Sequence, residues 1–372
     1  MRSPGKVPSL VRVRTTWASA LTWRLERHLL GGSDGRVRGT AAGVVQRLVA
    51  VPAWTGDADL AVRVRMACRS PSLPAPDVLA APLADGLLVK VFAFRGATHL
   101  MAPALAADHL ALRAAGRMWE RRSWTSHYRL SPEEWPSLRA AVRDALAHGP
   151  LTPEDLGQRV AEQARFVHLR GPLSSIGTFL KPFFWQGDVC FGPSLDGRPT
   201  LQRLDANPGW PGIPDLEEAG PRAVSAYLSA YGPATPAHVH HWLGDGLGAG
   251  RRRIERWLEA LRDVVRLEVD GQEALLPAEH ADALAGARPA GAVRLLPGLD
   301  PWVLGPGTAD PHVVPPASRP AVTRGANLVL LDGSVAGTWT ARAGQVGITT
   351  WVGELPADDL ARETGRLKTL LA

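Results

Sequence analysis

The pentapeptide Gly149-Pro150-Leu151-Thr152-Pro153 returns as Gly232-Pro233-Ala234-Thr235-Pro236, and each copy sits between two stretches of helical pattern. A Thr followed by Pro is a helix-start signal. The hydroxyl can cap free backbone N–H groups of the first turn, and Pro tolerates the first helical position. The Gly-Pro ahead of it stops the preceding helix. The residues downstream of the two copies are also alike. After the first, residues 153–163 read as a helix and Ser174 to Gln186 as another; Gly187 to Gly192 then opens a strand, which turns at Asp196-Gly197 and returns from Pro199 to Leu204. After the second, Pro236 to Leu243 and Gly250 to Arg262 read as helices, and strands Val264 to Val269 and Glu273 to Leu276 flank a turn at Asp270-Gly271.

Three helices followed by a two-stranded hairpin make a winged helix-turn-helix unit, and many such units lay the helix before the hairpin in the DNA major groove. A more irregular copy lies upstream. Gly39-Thr40 precedes an apolar helix (Val44, Val45, Leu48, Val49), and Leu87 to Phe94 with Ala97 to Met101 makes a hairpin around Arg95-Gly96, with Pro71 to Pro76 interrupting. From Ala292 the text becomes strand-like, with Val293 to Leu296, Asn327 to Leu331, Ser334 to Arg342 and Val346 to Val352, closed by a helix from Ala357 to Leu371. The expected class is therefore α+β: three tandem winged helix-turn-helix units followed by a small antiparallel β domain with a C-terminal helix. The expected divisions are a basic, structureless arm (1–16), units at 17–130, 131–206 and 216–277, and the β domain at 291–372. A helix from Ser131 to His148 opens the second unit, and Gly305 to Pro320 is a long Pro- and Gly-rich loop.

A chain of 372 residues has room for two to four such modules. Lys and Arg total 42 against 36 Asp and Glu, a formal charge of +6, which suits a polyanionic partner without proving one. The two cysteines, Cys68 and Cys190, fall in different expected modules, which argues against a disulfide framework or a zinc site and fits a reducing cytoplasm. Arg12, Arg14 and Arg24 interrupt the start before an apolar signal core can form, and no run approaches the ~18 apolar residues of a membrane span.

The strongest basic cluster, Arg251-Arg252-Arg253 with Arg256, opens the expected recognition helix of the third unit, where free N–H groups and guanidinium forks both favour a phosphate. The competing reading is a solvated face with Glu255 and Glu259 as partners. The corresponding helix of the second unit has only Lys181 as a candidate DNA contact, and its run of Phe179, Phe183, Phe184 and Trp185 reads as core. Arg95, a further candidate DNA contact, sits in the Arg95-Gly96-Ala97-Thr98-His99-Leu100 hairpin turn, where His99 reads as structural rather than catalytic. His238, His240 and His241 lack carboxylates or thiolates at ligand spacing and read as helix-surface residues, and no metal or cofactor is expected. There is no P-loop, dinucleotide fingerprint, nucleophile elbow or HExxH.

The Arg95 to Leu100 run, Leu180-Lys181-Pro182 with Gly187 to Pro193, and Leu295-Leu296-Pro297-Gly298-Leu299-Asp300-Pro301 together resemble the winged-helix superfamily that includes the AlkZ- and YcaQ-type DNA glycosylases. The resemblance covers nearly the whole chain. It implies three winged units, a C-terminal β domain, and hydrolysis of the N-glycosidic bond of alkylated or bulky purine adducts without metal or cofactor. The family's Gln-apolar-Gln catalytic motif falls after Gln46-Arg47-Leu48-Val49-Ala50-Val51, where this chain has Pro52-Ala53-Trp54. Neither Pro nor Trp is a general base or holds a hydrolytic water as an amide does. Asp57 or Asp59 could substitute, or cap the following helix instead, and Trp54 could stack on an exposed group.

Three functions are consistent with these residues. The first is a cytoplasmic, monomeric protein that binds double-stranded, damaged DNA with a degenerate catalytic centre. The second is an active monofunctional glycosylase on alkylated or antibiotic-modified purines. The third is a sensor or resistance protein sequestering a DNA-reactive molecule, for which the 13 tryptophans could line a pocket.

Overall fold

The computed structural model describes residues 14–31, 39–54, 57–68 and 73–372. In it the two pentapeptides do the same two things. Leu151 exchanges backbone hydrogen bonds with Leu201 (3.0 and 2.8 Å), and Ala234 does the same with Leu275 (3.0 and 2.8 Å). One residue on, Thr152 Oγ accepts from the Asp155 N–H and Thr235 Oγ from the His238 N–H, capping helices Pro153–Ala161 and Pro236–Val239. Each pentapeptide thus adds a one-residue rung to its hairpin while starting a helix. Thr40 caps Ala41–Leu48 in the same way through the Gly43 N–H.

The strands in chain order are β1 (Arg14–Thr15), β2 (Val51–Pro52), β3 (Val89–Phe92), β4 (Thr98–Met101), β5 (Val189–Leu195), β6 (Arg198–Arg203), β7 (Val264–Val269), β8 (Gln272–Pro277), β9 (Val293–Leu296), β10 (Asn327–Leu331), β11 (Ser334–Arg342) and β12 (Gln345–Thr350). They form small sheets in the orders β2-β4-β3, β5-β6 and β1-β7-β8, and a four-stranded antiparallel sheet β12-β11-β10-β9. Helix Ala357–Leu371 lies across the last of these, with Leu367 packed among Val293, Leu295, Val329 and Trp339. The protein is α+β with a small antiparallel sheet near its C-terminus and a closing helix. No helix among the described residues is long and apolar enough to cross a membrane.

Three expectations need correction. Residues 14–16, expected within a structureless arm, belong to the fold: Arg14–Thr15 pair in parallel with Glu268 and Val269, and Thr16 caps helix Trp17–Arg27. Residues 1–13 of that expected arm lie outside the described residues, as do Pro71 and Ser72 of the Pro-rich interruption. A pairing between two residues and a strand some 250 positions away leaves no local pattern to read. The single helix expected at Ser174–Gln186 is a turn at Thr178–Leu180 followed by the short helix Lys181–Trp185, because Gly177 is extended (φ −138°, ψ −168°) and interrupts it. The helix expected from Ser131 begins only at Trp135, with Pro136 in its first turn, and ends at Ala145.

Helix Leu216–Tyr231 joins distant segments. Its Tyr227 hydroxyl donates to Gly305 C=O and its Tyr231 hydroxyl to Leu48 C=O, both at 3.1 Å and both fully buried. Helix Trp17–Arg27 docks on the end of the same helix: Arg24 donates to Pro233 C=O and Arg27 to Ser229 C=O. The Arg65 guanidinium meets the Asp300 carboxylate in a bidentate pair (2.9 and 2.7 Å) with both side chains fully buried. The 305–320 loop is held in the core by Val313 and Val314, and Val313 C=O accepts from the Val335 N–H.

Candidate functional site

These ties bring four stretches of chain around one pocket of about 280 Å³. Pro52 and Trp54 come from β2 and its exit, and Phe94, Arg95 and His99 from the β3–β4 hairpin. His241 and Trp242 come from the turn of π-helix His240–Asp245, and Leu304 and Gly307 from the segment after Asp300. The short strand β2 explains the first contact. Pro52 pairs with His99, and the Ala53 N–H donates to Thr98 C=O (2.9 Å), so the segment leaves the sheet directly over the hairpin.

Trp54 is 43% exposed and meets the buried His99 ring edge-on, at 5.3 Å between centroids. His99 Nδ1 is 2.9 Å from Ala97 C=O. A carbonyl only accepts, so Nδ1 carries the proton and Nε2 keeps its lone pair. Burial pushes the His99 pKa down to about 4, against the opposing pull of that backbone bond, so the ring is neutral at pH 7. Phe94 packs at 5.1 Å from His99 and 4.1 Å from Trp242. Arg95, at the hairpin tip, has a left-handed backbone (φ 50°, ψ 20°), and its N–H donates to Gly246 C=O at 2.6 Å. Its guanidinium reaches within 3.4 Å of His241 Nδ1, and His241 is lowered by burial and then by this neighbouring charge. Gly307 fits because any Cβ there would lie 2.7 Å from His241 Nε2.

The pocket has aromatic walls, an arginine at its rim and neutral imidazoles, and among the described residues no carboxylate or side-chain amide lines it. Such a surface stacks on a flat ring, whereas activation of water would fall to a weak base, His99.

The other residues singled out in the sequence are spread more widely. Asp57 precedes helix Ala58–Ala67 without a side-chain cap, and partial burial raises its pKa. Asp59 accepts from the Val78 N–H (2.9 Å) and lies 3.7 Å from Arg63, so it holds a loop in place. Neither lines the pocket. Along helix Arg251–Ala260, Arg251 pairs with Glu255 (2.9 Å), Arg253 donates to Ala249 C=O and Arg252 faces solvent. Arg256 pairs with Glu217 (2.6 Å), which also accepts from Trp257 Nε1. Phe183, Phe184 and Trp185 are fully buried beside Lys181.

The reading of His238 and His241 as helix-surface residues is corrected. His238 reciprocates the Thr235 cap and lies 3.4 Å from the buried Asp310, and His241 lines the pocket. Sequence reasoning also passed over Trp242, Gly246 and Gly307, whose spacing along the chain carries no signal that they meet the hairpin. Among the described residues no group of three His, Cys, Asp or Glu side chains is arranged to hold a metal.

A profile of the family described as DNA glycosylase AlkZ-like matches residues 45–370. An interstrand DNA cross-link repair glycosylase from Streptomyces sahachiroi is 34% identical over 337 residues, covering 88% of this chain and 88% of that protein. The solved structure of Streptomyces sahachiroi DNA glycosylase AlkZ superposes with a TM-score of 0.85 at 31% identity, over 96% of this chain and 98% of that one.

Proposed function

This chain belongs to the AlkZ-like DNA glycosylase family, and from that premise we propose that it engages alkylated or bulky-adduct duplex DNA and holds the damaged base against Trp54. The observation that carries this reading is the pocket at the family's motif position, where an exposed Trp54 stands over a buried, neutral His99 and no carboxylate among the described residues lines the wall. The S. sahachiroi relative is described as acting on interstrand cross-links, which supports a bulky rather than a small lesion for this chain.

The DNA is held by tandem winged-helix units, 17–130, 131–206 and 216–277, ahead of a β domain at 291–372. Supporting this are the two pentapeptides, which make the same rung and the same helix cap before the same kind of hairpin. In the third unit Arg251 and Arg252 lie on the outer face of the helix before the wing, as a major-groove contact requires. The protein works as a monomer in the cytoplasm.

Binding is tested with a duplex carrying one bulky N7-alkylguanine adduct against the same duplex undamaged, read by fluorescence anisotropy. The damaged duplex should bind more tightly, and Trp54→Ala should remove the preference. Equal affinities for the two duplexes would overturn the reading. Hydrolysis is the second reading, favoured by the His99 Nε2 lone pair at the motif position. It expects free alkylated base from the same duplex, lost in His99→Asn. Release that survives there and disappears in Asp57→Asn or Asp59→Asn would reassign the water-activating group to those carboxylates.

A further inference from the structure

Many arginines of this protein are neutralised by a carboxylate. Arg65 pairs with Asp300, Arg139 and Arg143 with Asp188, Arg222 with Asp108, Arg251 with Glu255 and Arg256 with Glu217. Beside the pocket the pattern stops. Lys181 Nζ rests on the tip of the β3–β4 hairpin, so close that a Cβ on Gly96 would lie 2.9 Å from it, and it sits 5.1 Å above the Phe92 ring. The Arg113 guanidinium lies 4.4 Å over the Trp185 ring, and its Nη1 would be 3.4 Å from a Cβ on Gly248. The Arg95 backbone is bonded to Gly246 in the same turn. The Lys181 and Arg113 heads therefore meet at one junction, where the hairpin tip meets the 246–248 turn, and the Arg95 guanidinium extends from the same tip to His241 Nδ1 (3.4 Å). None of them pairs with a carboxylate among the described residues, and Asp245, on the same turn, approaches His241 instead (3.6 Å).

Like charges brought together and partly desolvated, as Lys181 and Arg113 are, are unfavourable unless an anion joins them, and Arg95 beside them is exposed. Lys181 feels this directly: burial lowers its pKa and the Arg113 charge lowers it further. Arg113 is lowered by burial, and its Nε is buried with no hydrogen-bond partner. The Phe92 and Trp185 faces give partial compensation through cation–π attraction, which fixes both heads without neutralising them. Because Gly96 and Gly248 have no side chains, the heads lie close against the backbone of the junction.

We propose that Arg95, Arg113 and Lys181 form a clamp for one backbone phosphate of the bound DNA, at the mouth of the Trp54 pocket. The clamp rests on the duplex-binding reading above. It deepens that reading by fixing which nucleotide is presented to Trp54: Arg95 belongs both to the pocket wall and to the clamp, so the phosphate it holds is adjacent to the base that stacks.

The test is the salt dependence of binding to an undamaged duplex, because each phosphate neutralised contributes about 0.9 to the slope of log Kobs against log salt. Arg113→Gln with Lys181→Gln should make the slope shallower by about 0.9 and weaken binding roughly tenfold at low salt. Lys181→Arg, which keeps the charge, should leave the slope unchanged. Inorganic phosphate replacing chloride at constant ionic strength should compete with the unaltered protein but not with the double variant. If the Arg113 change prevents folding, since that side chain packs on Trp185, Lys181→Gln with Arg95→Gln carries the same criterion. An unaltered slope in a folded variant, or phosphate competition that persists in it, overturns the clamp and leaves duplex binding intact. An unaltered protein without salt-dependent binding overturns both.

Discussion

Trp54 projects into solvent while resting on a buried imidazole, so replacing it should disturb binding far more than folding. Base stacking on an aromatic side chain contributes ~1–3 kcal/mol, so Trp54→Ala should weaken binding to damaged duplex roughly 5- to 150-fold with little change in Tm. Trp54→Phe should keep most of it, and equal losses in the two variants would remove stacking as the explanation. His99 and His109 lie beneath, both fully buried with pKa values pushed down to about 4 by desolvation. The unfolded chain takes up these protons near pH 6.5. Between about 6.5 and 4 the unfolded state therefore binds more protons than the folded one. Each ring should lower stability by ~1.4 kcal/mol per pH unit of acidification, with no contribution above 6.5 and no further loss below 4. Urea denaturation at pH 7, 6 and 5 checks this, and a stability flat from 7 to 5 would contradict it.

At the scale of elements, the repeated pentapeptides give a paired prediction. Thr152→Ala and Thr235→Ala should each cost about 1 kcal/mol through loss of the cap, measured by chemical denaturation. The Thr152 loss should be the larger, because its hydroxyl also donates to Asp155 (2.6 Å) and the residue is buried. The hairpins were legible for an equally local reason. Asp196-Gly197, Asp270-Gly271, Asp332-Gly333 and Ala343-Gly344 all take positive φ at both turn residues, the conformation that two-residue hairpin loops demand and that Asp-Gly favours. Residues 174–186 resist a local reading because an aromatic run at helical spacing describes a buried segment equally well whether or not it is helical. The aromatic packing of Phe179 on Trp124, Tyr128 and Trp135 holds it instead.

For the whole molecule, the buried Arg65–Asp300 pair joins the helix after the motif segment to the start of the C-terminal region. Arg65→Ala leaves the Asp300 carboxylate buried without its cation and should destabilise by ~3–5 kcal/mol, whereas Arg65→Met with Asp300→Asn should be milder. Thermal melts of the two variants distinguish a bridge of this kind from a dispensable pair. Because the same region carries Leu304 and Gly307 into the pocket, Arg65→Ala should also weaken DNA binding at temperatures where the chain remains folded.

Turns, caps and the boundaries of most strands arise from interactions within about five residues, and there the amino-acid sequence was sufficient: it determined the hairpins, the capped helices and the closing helix Ala357–Leu371. It also singled out Pro52-Ala53-Trp54 as the segment expected at the family's catalytic motif. What it could not determine is which residues share the site, because Trp54, His99, His241 and Gly307 meet only through contacts between distant segments. Nor could it say which cations lack a carboxylate. Arg256 is answered by Glu217 and Arg222 by Asp108, while Arg113 and Lys181 rest on aromatic faces with no carboxylate partner among the described residues. Burial and charge pairing depend on distance in space, and tertiary packing alone sets that distance.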